Sequence, residues 1–349
     1  MRVLITGHDG YIGRIVAPTL RRAGHDIVGI DSFLFDGCDF GDESSDLPAL
    51  RMDVRDVEVS HLEGFDAIVH LAAISNDPMG DLDPKSTYAV NHRASVRLAH
   101  LAKQAGVSRF VFSSSCSLYG AADPNSILSE SAPFNPTTPY ARSKVHAERD
   151  ISELADDDFS PTSLRNATVY GASPRLRVDL VVNDLVASAY TTGEVLIKSD
   201  GTPWRPHVHV DDVANAVLAS LEAPRDVIHD QAFNIGRTDQ NYQIRDVAQI
   251  VADVVPRSRV VYAEGGGPDK RCYRVDFSKA EENLPGFEPR WTVRRGVVQL
   301  YEAYRRNGLT ADQLVGSRFV RLRRIRELHE TGRLGPSLRW RKAAAEASA

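Results

Sequence analysis

The chain has 349 residues, 42% of them hydrophobic and 26% charged, which is the composition of a globular protein and excludes a disordered or fibrous one. Its formal charge of -5, from 42 basic against 47 acidic residues, offers no field for nucleic acid or an anionic membrane, so a small-molecule partner is expected. Cys38, Cys116 and Cys272 are dispersed without zinc-type spacing and fit a reducing cytoplasm, and no apolar run is long enough for a signal-peptide core or a membrane span.

In chain order, short apolar runs at Arg2 to Thr6, Asp26 to Asp31, Ala67 to Ala72, Arg109 to Ser113 and Thr162 to Arg165 read as strands. Between them, Tyr11 to Ala23, Pro84 to Ala105 and Tyr140 to Leu154 carry apolar residues at helical spacing, and Gly24 and Gly106 stop the first two. This alternation predicts an α/β protein with a doubly wound parallel sheet covered on both faces. The acidic stretch Phe35 to Pro48 lacks periodicity and reads as a surface loop without chemistry. Beyond Asn166 the pattern loosens. Helices are expected at Leu180 to Thr191, Ile244 to Val255 and Val293 to Arg306, with a strand at Val195 to Lys198 and a strand–helix unit from His207 to Leu221. The basic run Arg318 to Arg326 reads as a solvated face, and 342–349 as a frayed end. The expected division is a nucleotide-binding domain at 1–165, with a return segment near 205–235, and a smaller α/β substrate-binding lobe within 166–349.

The first strand runs into Thr6-Gly7-His8-Asp9-Gly10-Tyr11-Ile12-Gly13, which opens the next helix. Glycines permit a tight turn and let a pyrophosphate approach the backbone N–H groups of a helix N-terminus, the Rossmann-type arrangement. Asp31, at the end of the second strand, would accept hydrogen bonds from an adenosine ribose and repel a 2′-phosphate, which favours NAD over NADP. Asp53 would hydrogen-bond the adenine amine with Val54 packed beside the ring, or else it caps the next helix. The small residues of Leu71-Ala72-Ala73 would let the backbone lie against the cofactor, while His70 reads as a packed structural histidine.

Tyr140 and Lys144 are four positions apart and therefore share one helix face. A phenol with a reference pKa near 10 is a poor base at neutral pH, and a neighbouring ammonium would favour the phenolate. Ser115, at the end of a strand, would hydrogen-bond the same substrate oxygen. Together these residues suit removal of a hydroxyl proton while carbon gives hydride to a nicotinamide, leaving a polarised ketone.

Gly7, Gly10, Gly13, Asp31, the His70-Leu71-Ala72-Ala73 run, Ser113-Ser114-Ser115 with Tyr119-Gly120, and Tyr140-Ala141-Arg142-Ser143-Lys144 resemble the extended short-chain dehydrogenase/reductase family, in its nucleotide-sugar epimerase and dehydratase branch. The likeness spans about 300 residues, through Asp276-Phe277-Ser278-Lys279-Ala280. It implies NAD as cofactor, with Gly7, Gly10, Tyr11, Ile12, Gly13, Asp31, Asp53, Val54, Leu71, Ala72, Ala73, Tyr140 and Lys144 around it, and catalysis by Ser115, Tyr140 and Lys144. It also implies a nucleotide-diphosphate sugar substrate, contacted by Ser115, Cys116, Ser117, Asn166, Asn183, Leu185, Arg205, Asp269 and Arg271. Related dehydratases and decarboxylases place carboxylates where Cys116 and Ser117 stand here, which disfavours elimination. Asn166 and Thr168 depart from the common 4-epimerase pattern, and Gly266 stands where an arginine is usual, so the sugar and base stay open. The expectation is an epimerase acting at C4 through a transient ketosugar. The alternatives are a reductase or dehydrogenase of a nucleotide-linked ketosugar and a non-enzymatic NAD-sensing regulator. The resemblance further implies a homodimer paired through Pro84 to Ala105 and Tyr140 to Leu154.

Overall fold

The computed structural model describes residues 1–41, 46–75, 77–123, 125–265 and 271–341. In chain order, strands β1 (Arg2–Thr6), β2 (Asp26–Asp31), β3 (Ala49–Arg51), β4 (Ala67–His70), β5 (Arg109–Ser115), β6 (Ser160–Asn166), β7 (Thr168–Tyr170), β8 (Trp204–His209), β9 (Gln231–Ile235) and β10 (Asn241–Gln243) build the two larger sheets. The main sheet has the order β9-β6-β5-β4-β1-β2-β3, and every pairing in it is parallel. The chain starts in the middle, winds outward to β3, then crosses back to β4 and winds the other way. The order therefore reverses between β1 and β4, and a crevice opens beyond their carboxyl ends, where Thr6 lies opposite His70.

Parallel interior strands are buried on both faces and need continuous apolar runs. Val3, Leu4 and Ile5 of β1 accordingly have no exposed surface. Helices α1 (Gly13–Arg22), α2 (Ser95–Gln104), α3 (Pro139–Ser152), α4 (Val181–Thr192), α5 (Val210–Glu222), α6 (Ile244–Val254), α7 (Val293–Asn307) and α8 (Arg321–Glu330) supply the covering layers. Val16 and Leu20 of α1 pack with Val213 and Val217 of α5 on one side of the sheet. Leu98 and Ala102 of α2 pack with Ala147 and Ile151 of α3 on the other, against Phe110 and Phe112. The second core joins Val182 and Val186 of α4, Val247 and Val251 of α6, and Val297, Leu300 and Tyr304 of α7. It lies beside the antiparallel and parallel pairings of β10, β8 and β7.

The helix expected at Pro84 to Ala105 is interrupted. An α-helical turn at Pro84–Tyr88 passes into a π-helical turn at Ala89–Ala94 before α2 begins. Asn91 explains the bulge, because its side chain accepts from Ile74 N at 2.8 Å and donates to Ile74 O at 3.0 Å and Ser143 Oγ at 3.2 Å. An extra residue per turn is tolerated where it lets a side chain serve another element. The 35–48 stretch also departs from expectation. Cys38 and Phe40 are buried, Phe40 within the second core, and Asp39 pairs with Arg175 at 3.2 Å. Apolar anchors spaced irregularly leave no periodic signal, so the stretch reads as a loop although residues 38–40 are docked.

A buried polar network ties four elements together below the crevice. Glu148 of α3 accepts from Ser114 Oγ of β5 at 2.6 Å and from Arg165 Nε of β6 at 2.8 Å. Arg165 also reaches the Tyr119 hydroxyl at 3.1 Å, which donates to Asn234 of β9 at 2.8 Å. Every member is satisfied, as a buried network requires.

Candidate active site

The crevice is a cleft of about 750 Å³ that brings together residues from both halves of the chain. Its floor is the glycine turn between β1 and α1. Gly7 has φ +74°, and a Cβ there would stand 2.7 Å from Ala72 N; a Cβ on Gly13 would stand 2.3 Å from Gly7 O. Both positions are closed to any other residue, and the first turn of α1 carries no acidic side chain and no side-chain cap. Arg14 N and Ile15 N of that turn donate to Gly10 O and Ile12 O, so what this helix end offers an anionic ligand is its dipole with no competing carboxylate. The Tyr11 hydroxyl turns away from this floor to donate to Gly171 O at 2.7 Å. Asp31 accepts from Asp9 N at 3.0 Å and Phe33 N at 2.8 Å, while burial and the neighbouring Asp9 raise its pKa. Asp53 caps the short helix Val54–Asp56 by accepting from Arg55 N, and its carboxylate also holds the Arg55 guanidinium at 2.8 and 2.5 Å. Burial opposes the charge on Asp53, but the Arg55 bonds prevail and its pKa falls. Asp53 and Val54 nonetheless line the cleft with Gly10, Ile12, Leu71, Ala72 and Ala73. A dinucleotide fits this half through the carboxylate-free N-terminal end of α1, the glycine floor and the Asp31 carboxylate.

His70 lies under the floor, bonded to Thr6 Oγ1 at 2.6 Å and Ser95 Oγ at 2.8 Å, and burial brings its pKa to about 3. It is a neutral packing residue.

The reactive centre sits where β5 ends against the start of α3. Thr138 accepts from Ala141 N and Pro139 opens the helix, so α3 begins one residue before Tyr140. Ser115 lies beside the Tyr140 hydroxyl, where it acts to lower the phenol's pKa, and its Oγ accepts from Ser117 N at 3.2 Å. Lys144, one turn along, donates to Ser113 O at 2.6 Å and stands 4.5 Å above the Phe112 ring. The expected lowering of the Tyr140 pKa by Lys144 is not what the polypeptide alone produces. Burial pushes the phenol up to about 12, against the influence of Ser115 and the charge of Arg177. Burial likewise brings Lys144 down to about 7, with Glu148 holding it up. Burial thus keeps the phenol protonated and brings the lysine to where it is about half charged near pH 7, because desolvation outweighs the charges that the protein itself places near them.

Around this centre, Ser117 and Asn166 line the cleft, and Ser117 Oγ and Asn166 Oδ1 are buried without a partner among the described residues. Asn166 donates to Ser113 Oγ at 3.0 Å. Farther out lie Leu185, Lys198 and Ser199, and then Arg205, Arg271 and Tyr273. The Arg205 guanidinium lies over Tyr273 and donates to Trp204 O and Arg271 O, and Arg271 pairs with Asp77. Asp77 also accepts from Thr138 Oγ1 at 2.6 Å.

Two expected substrate contacts are corrected. The Cys116 side chain has no exposed surface, donates to Arg165 O at 3.0 Å and is outside the cleft, so it packs the core; burial drives its pKa well up. Asn183 is also fully buried, accepting from Gly171 N at 3.0 Å and donating to Arg177 O at 2.8 Å, so its amide is spent on backbone. Asp269 and Gly266 lie outside the described residues. The basic run faces solvent at Arg318, Arg323 and Arg326 as expected, but Arg321 is 3% exposed and lines the cleft. Arg177, Asp77, Ser75 and Asn91 were not anticipated. For Arg177, the Arg175-Leu176-Arg177 pairing a few residues after Gly171 was the available signal.

Residues 318–341 cross over the cofactor side of the cleft. Arg318 donates to Asp39 O at 2.7 Å, Arg55 to Ser337 O at 2.8 Å and Trp340 Nε1 to Ser32 O at 2.6 Å, while Leu338 lines the cleft. Ile325, Leu328 and Leu334 pack with Ile74 and Met79.

A family model described as the NAD dependent epimerase/dehydratase family matches residues 3–236. The UDP-glucose 4-epimerase of Mycolicibacterium smegmatis is 30% identical over 321 residues, which is 87% of this chain and 99% of that protein. The solved structure of MoeE5 in complex with UDP-glucuronic acid and NAD matches with a TM-score of 0.76 at 29% identity, covering 88% of this chain and 99% of that one. The UDP-glucose 4-epimerase of Thermotoga maritima with UDP-glucose matches at TM-score 0.75 and 26% identity, covering 88% and 99%.

Proposed function

Because the chain belongs to the NAD-dependent epimerase/dehydratase family and takes NAD as its cofactor, we propose that it is a nucleotide-sugar epimerase that inverts C4 of a UDP-linked hexose. The observation that carries this reading is the convergence of Ser115, Tyr140 and Lys144 on one cleft floored by the Gly7–Gly13 turn. When bound, NAD⁺ supplies a hydride acceptor beside the sugar carbon and a positive ring that lowers the Tyr140 pKa. Tyr140 takes the hydroxyl proton and Ser115 holds the same oxygen, so the carbon that loses hydride becomes a ketone. Lys144 stabilises the phenolate that must form, and Ser113 O fixes the lysine in place. After the ketosugar turns in the cleft, hydride returns to its other face and Tyr140 gives the proton back, so no net oxidant is consumed.

Dehydration would need a carboxylic acid at the reacting carbon, and Cys116 and Ser117 provide none. Asp77 is the carboxylate near Tyr140, but its two oxygens are taken by Thr138 and Arg271. Ser117 and Asn166 would meet the sugar, Arg205 and Arg271 the substrate diphosphate, and Leu185 with Ser199 the nucleoside end. The dispersed cysteines support a cytoplasmic location. A homodimer through the Pro84 to Ala105 and Tyr140 to Leu154 helices would be a polar one. Its surface there carries the Tyr88, His92 and His146 rings, and the large exposed apolar residues lie elsewhere.

The test is to incubate purified protein with UDP-glucose without added cofactor, follow UDP-galactose by NMR, and assay the NAD released on denaturation. Interconversion with about one NAD per chain is expected. Turnover that requires stoichiometric added NADH would replace the epimerase reading with the ketosugar reductase.

A further inference from the structure

Two arginines line the cleft with hydrogen-bonding capacity unspent. Arg177 pairs with Asp179 through Nε at 3.2 Å and donates through Nη1 to Ser75 Oγ at 3.1 Å, but its Nη2 is buried with no partner among the described residues. Arg321, at the start of α8, lies 3.9 Å over the Phe35 ring and donates through Nη2 to Arg175 O at 3.1 Å. Its Nη1 is likewise buried and unpartnered, and it forms no ion pair among the described residues. Desolvation and the charge of Arg177 lower Arg321 to about 9. A buried guanidinium without a counter-ion is costly and persists where a ligand supplies the missing charge.

The neighbours locate that ligand. Arg175, whose carbonyl receives Arg321, holds both the backbone carbonyl and the carboxylate of Asp9, inside the glycine turn. Phe35 follows Asp31 at the adenosine end. Arg177 reaches Ser75, just past Leu71-Ala72-Ala73, and its charge acts on Tyr140 at the nicotinamide end. The two free nitrogens thus belong to the cofactor half, between the glycine turn that Arg175 holds and the Ser75 end of the Leu71-Ala72-Ala73 run. Arg205 and Arg271 instead contact Trp204, Tyr273 and Asp77.

We infer that Arg177 and Arg321 grip the diphosphate of the bound dinucleotide, and that residues 321–341 form a strap that carries one of the two cations across the cofactor cleft. Guanidinium forks match phosphate oxygens bidentately, and burial strengthens the pairing. The strap is fixed at its far end by Arg55 to Ser337 O and Trp340 to Ser32 O, both next to the adenosine site. Dissociation of the cofactor then requires the strap to lift. This assignment rests on NAD as cofactor and is independent of whether the sugar is epimerised or reduced.

The test uses the full chain as Arg321→Met and Arg177→Met, with Arg321→Lys as the variant that keeps the charge. Release of bound NADH into excess NAD⁺ is followed by fluorescence, and binding of ADP, adenosine and UDP is measured on the cofactor-stripped chain. Loss of one charge-assisted contact should speed NADH release about ten- to hundredfold in each Met variant and weaken ADP by a similar factor, with adenosine and UDP unchanged. Arg321→Lys should recover much of the ADP affinity. Equal weakening of ADP and adenosine would mark a merely structural role, loss of UDP instead would assign the arginines to the substrate, and unchanged NADH release would remove the strap; each overturns the inference. A wild-type chain carrying no NAD(H) would defeat the cofactor reading itself, which is a distinct outcome.

Discussion

Glu148→Gln tests how the fold holds its reactive centre. The Glu148 and Arg165 side chains are only 9% and 7% exposed, with Arg165 bonded at 2.5 and 2.8 Å and Ser114 at 2.6 Å. Removing one partner of such a pair leaves a buried charge uncompensated, at a cost of about 3 to 5 kcal/mol. With an unfolding entropy of roughly 2.1 cal/mol/K per residue, a chain of 349 residues should lose about 4 to 7 °C in Tm. Glu148 also holds up the pKa of Lys144, which burial has brought to about 7, so neutralising it lowers that pKa further. Activity that depends on protonated Lys144 should then decline at a lower pH than in wild type. Scanning calorimetry reads the first effect and a pH–rate profile the second. The apolar pair Glu148→Leu with Arg165→Met should recover much of the lost stability, because no charge is left stranded. A Tm within 1 °C of wild type, or a double variant as unstable as the two single losses combined, would refute the buried-pair account.

Tyr140→Phe should lower turnover by roughly 10²- to 10⁴-fold while NAD content after purification stays near wild type, since the phenol is assigned to proton transfer. Lys144→Met should abolish turnover yet stabilise the protein. Lys144 falls from 10.5 unfolded to about 7 folded, so between those values the unfolded chain binds the extra proton and wild-type stability rises with pH. The Tm advantage of the Met variant should therefore be full below pH 7 and fade toward pH 10.5; an advantage that grew with pH would contradict the burial. Gly13→Ala puts a methyl 2.3 Å from Gly7 O and 2.5 Å from His8 O, both backbone, and should yield protein depleted of NAD, as measured by cofactor release.

The sheet and the cofactor floor were legible because their signals are local. The apolar run of β1, the glycines after it and Asp31 at the end of β2 fall within one short stretch of chain, and Tyr140 with Lys144 needs only helical spacing. What was not legible depends on where a side chain points after distant elements meet. Cys116 follows Ser115 directly, yet the short helix Cys116–Tyr119 turns it into the core. Asn183 begins a helix beside the cleft but faces Gly171 and Arg177. Arg321 sits in a run whose composition suggests solvent, and only the partners at Phe35 and Arg175 show otherwise. For the same kind of reason the polypeptide alone does not lower the Tyr140 pKa: residue types announce charge, whereas burial is a property of the assembled fold.

The strap also bears on how the molecule comes into being. Its anchors span 282 residues from Arg55 to Ser337 and 308 from Ser32 to Trp340, so these contacts close some of the longest loops in the chain. During synthesis the main sheet, complete once Gln231–Ile235 has emerged, can assemble while 321–341 is still unmade. Until then Leu34, Phe35, Ile74 and Met79 lack the apolar cover that Ile325, Leu328 and Leu334 bring. A nascent or nicked chain short of this segment would show a hydrophobic patch to chaperones and proteases, so closing the cofactor cleft is also the step that hides the protein from quality control.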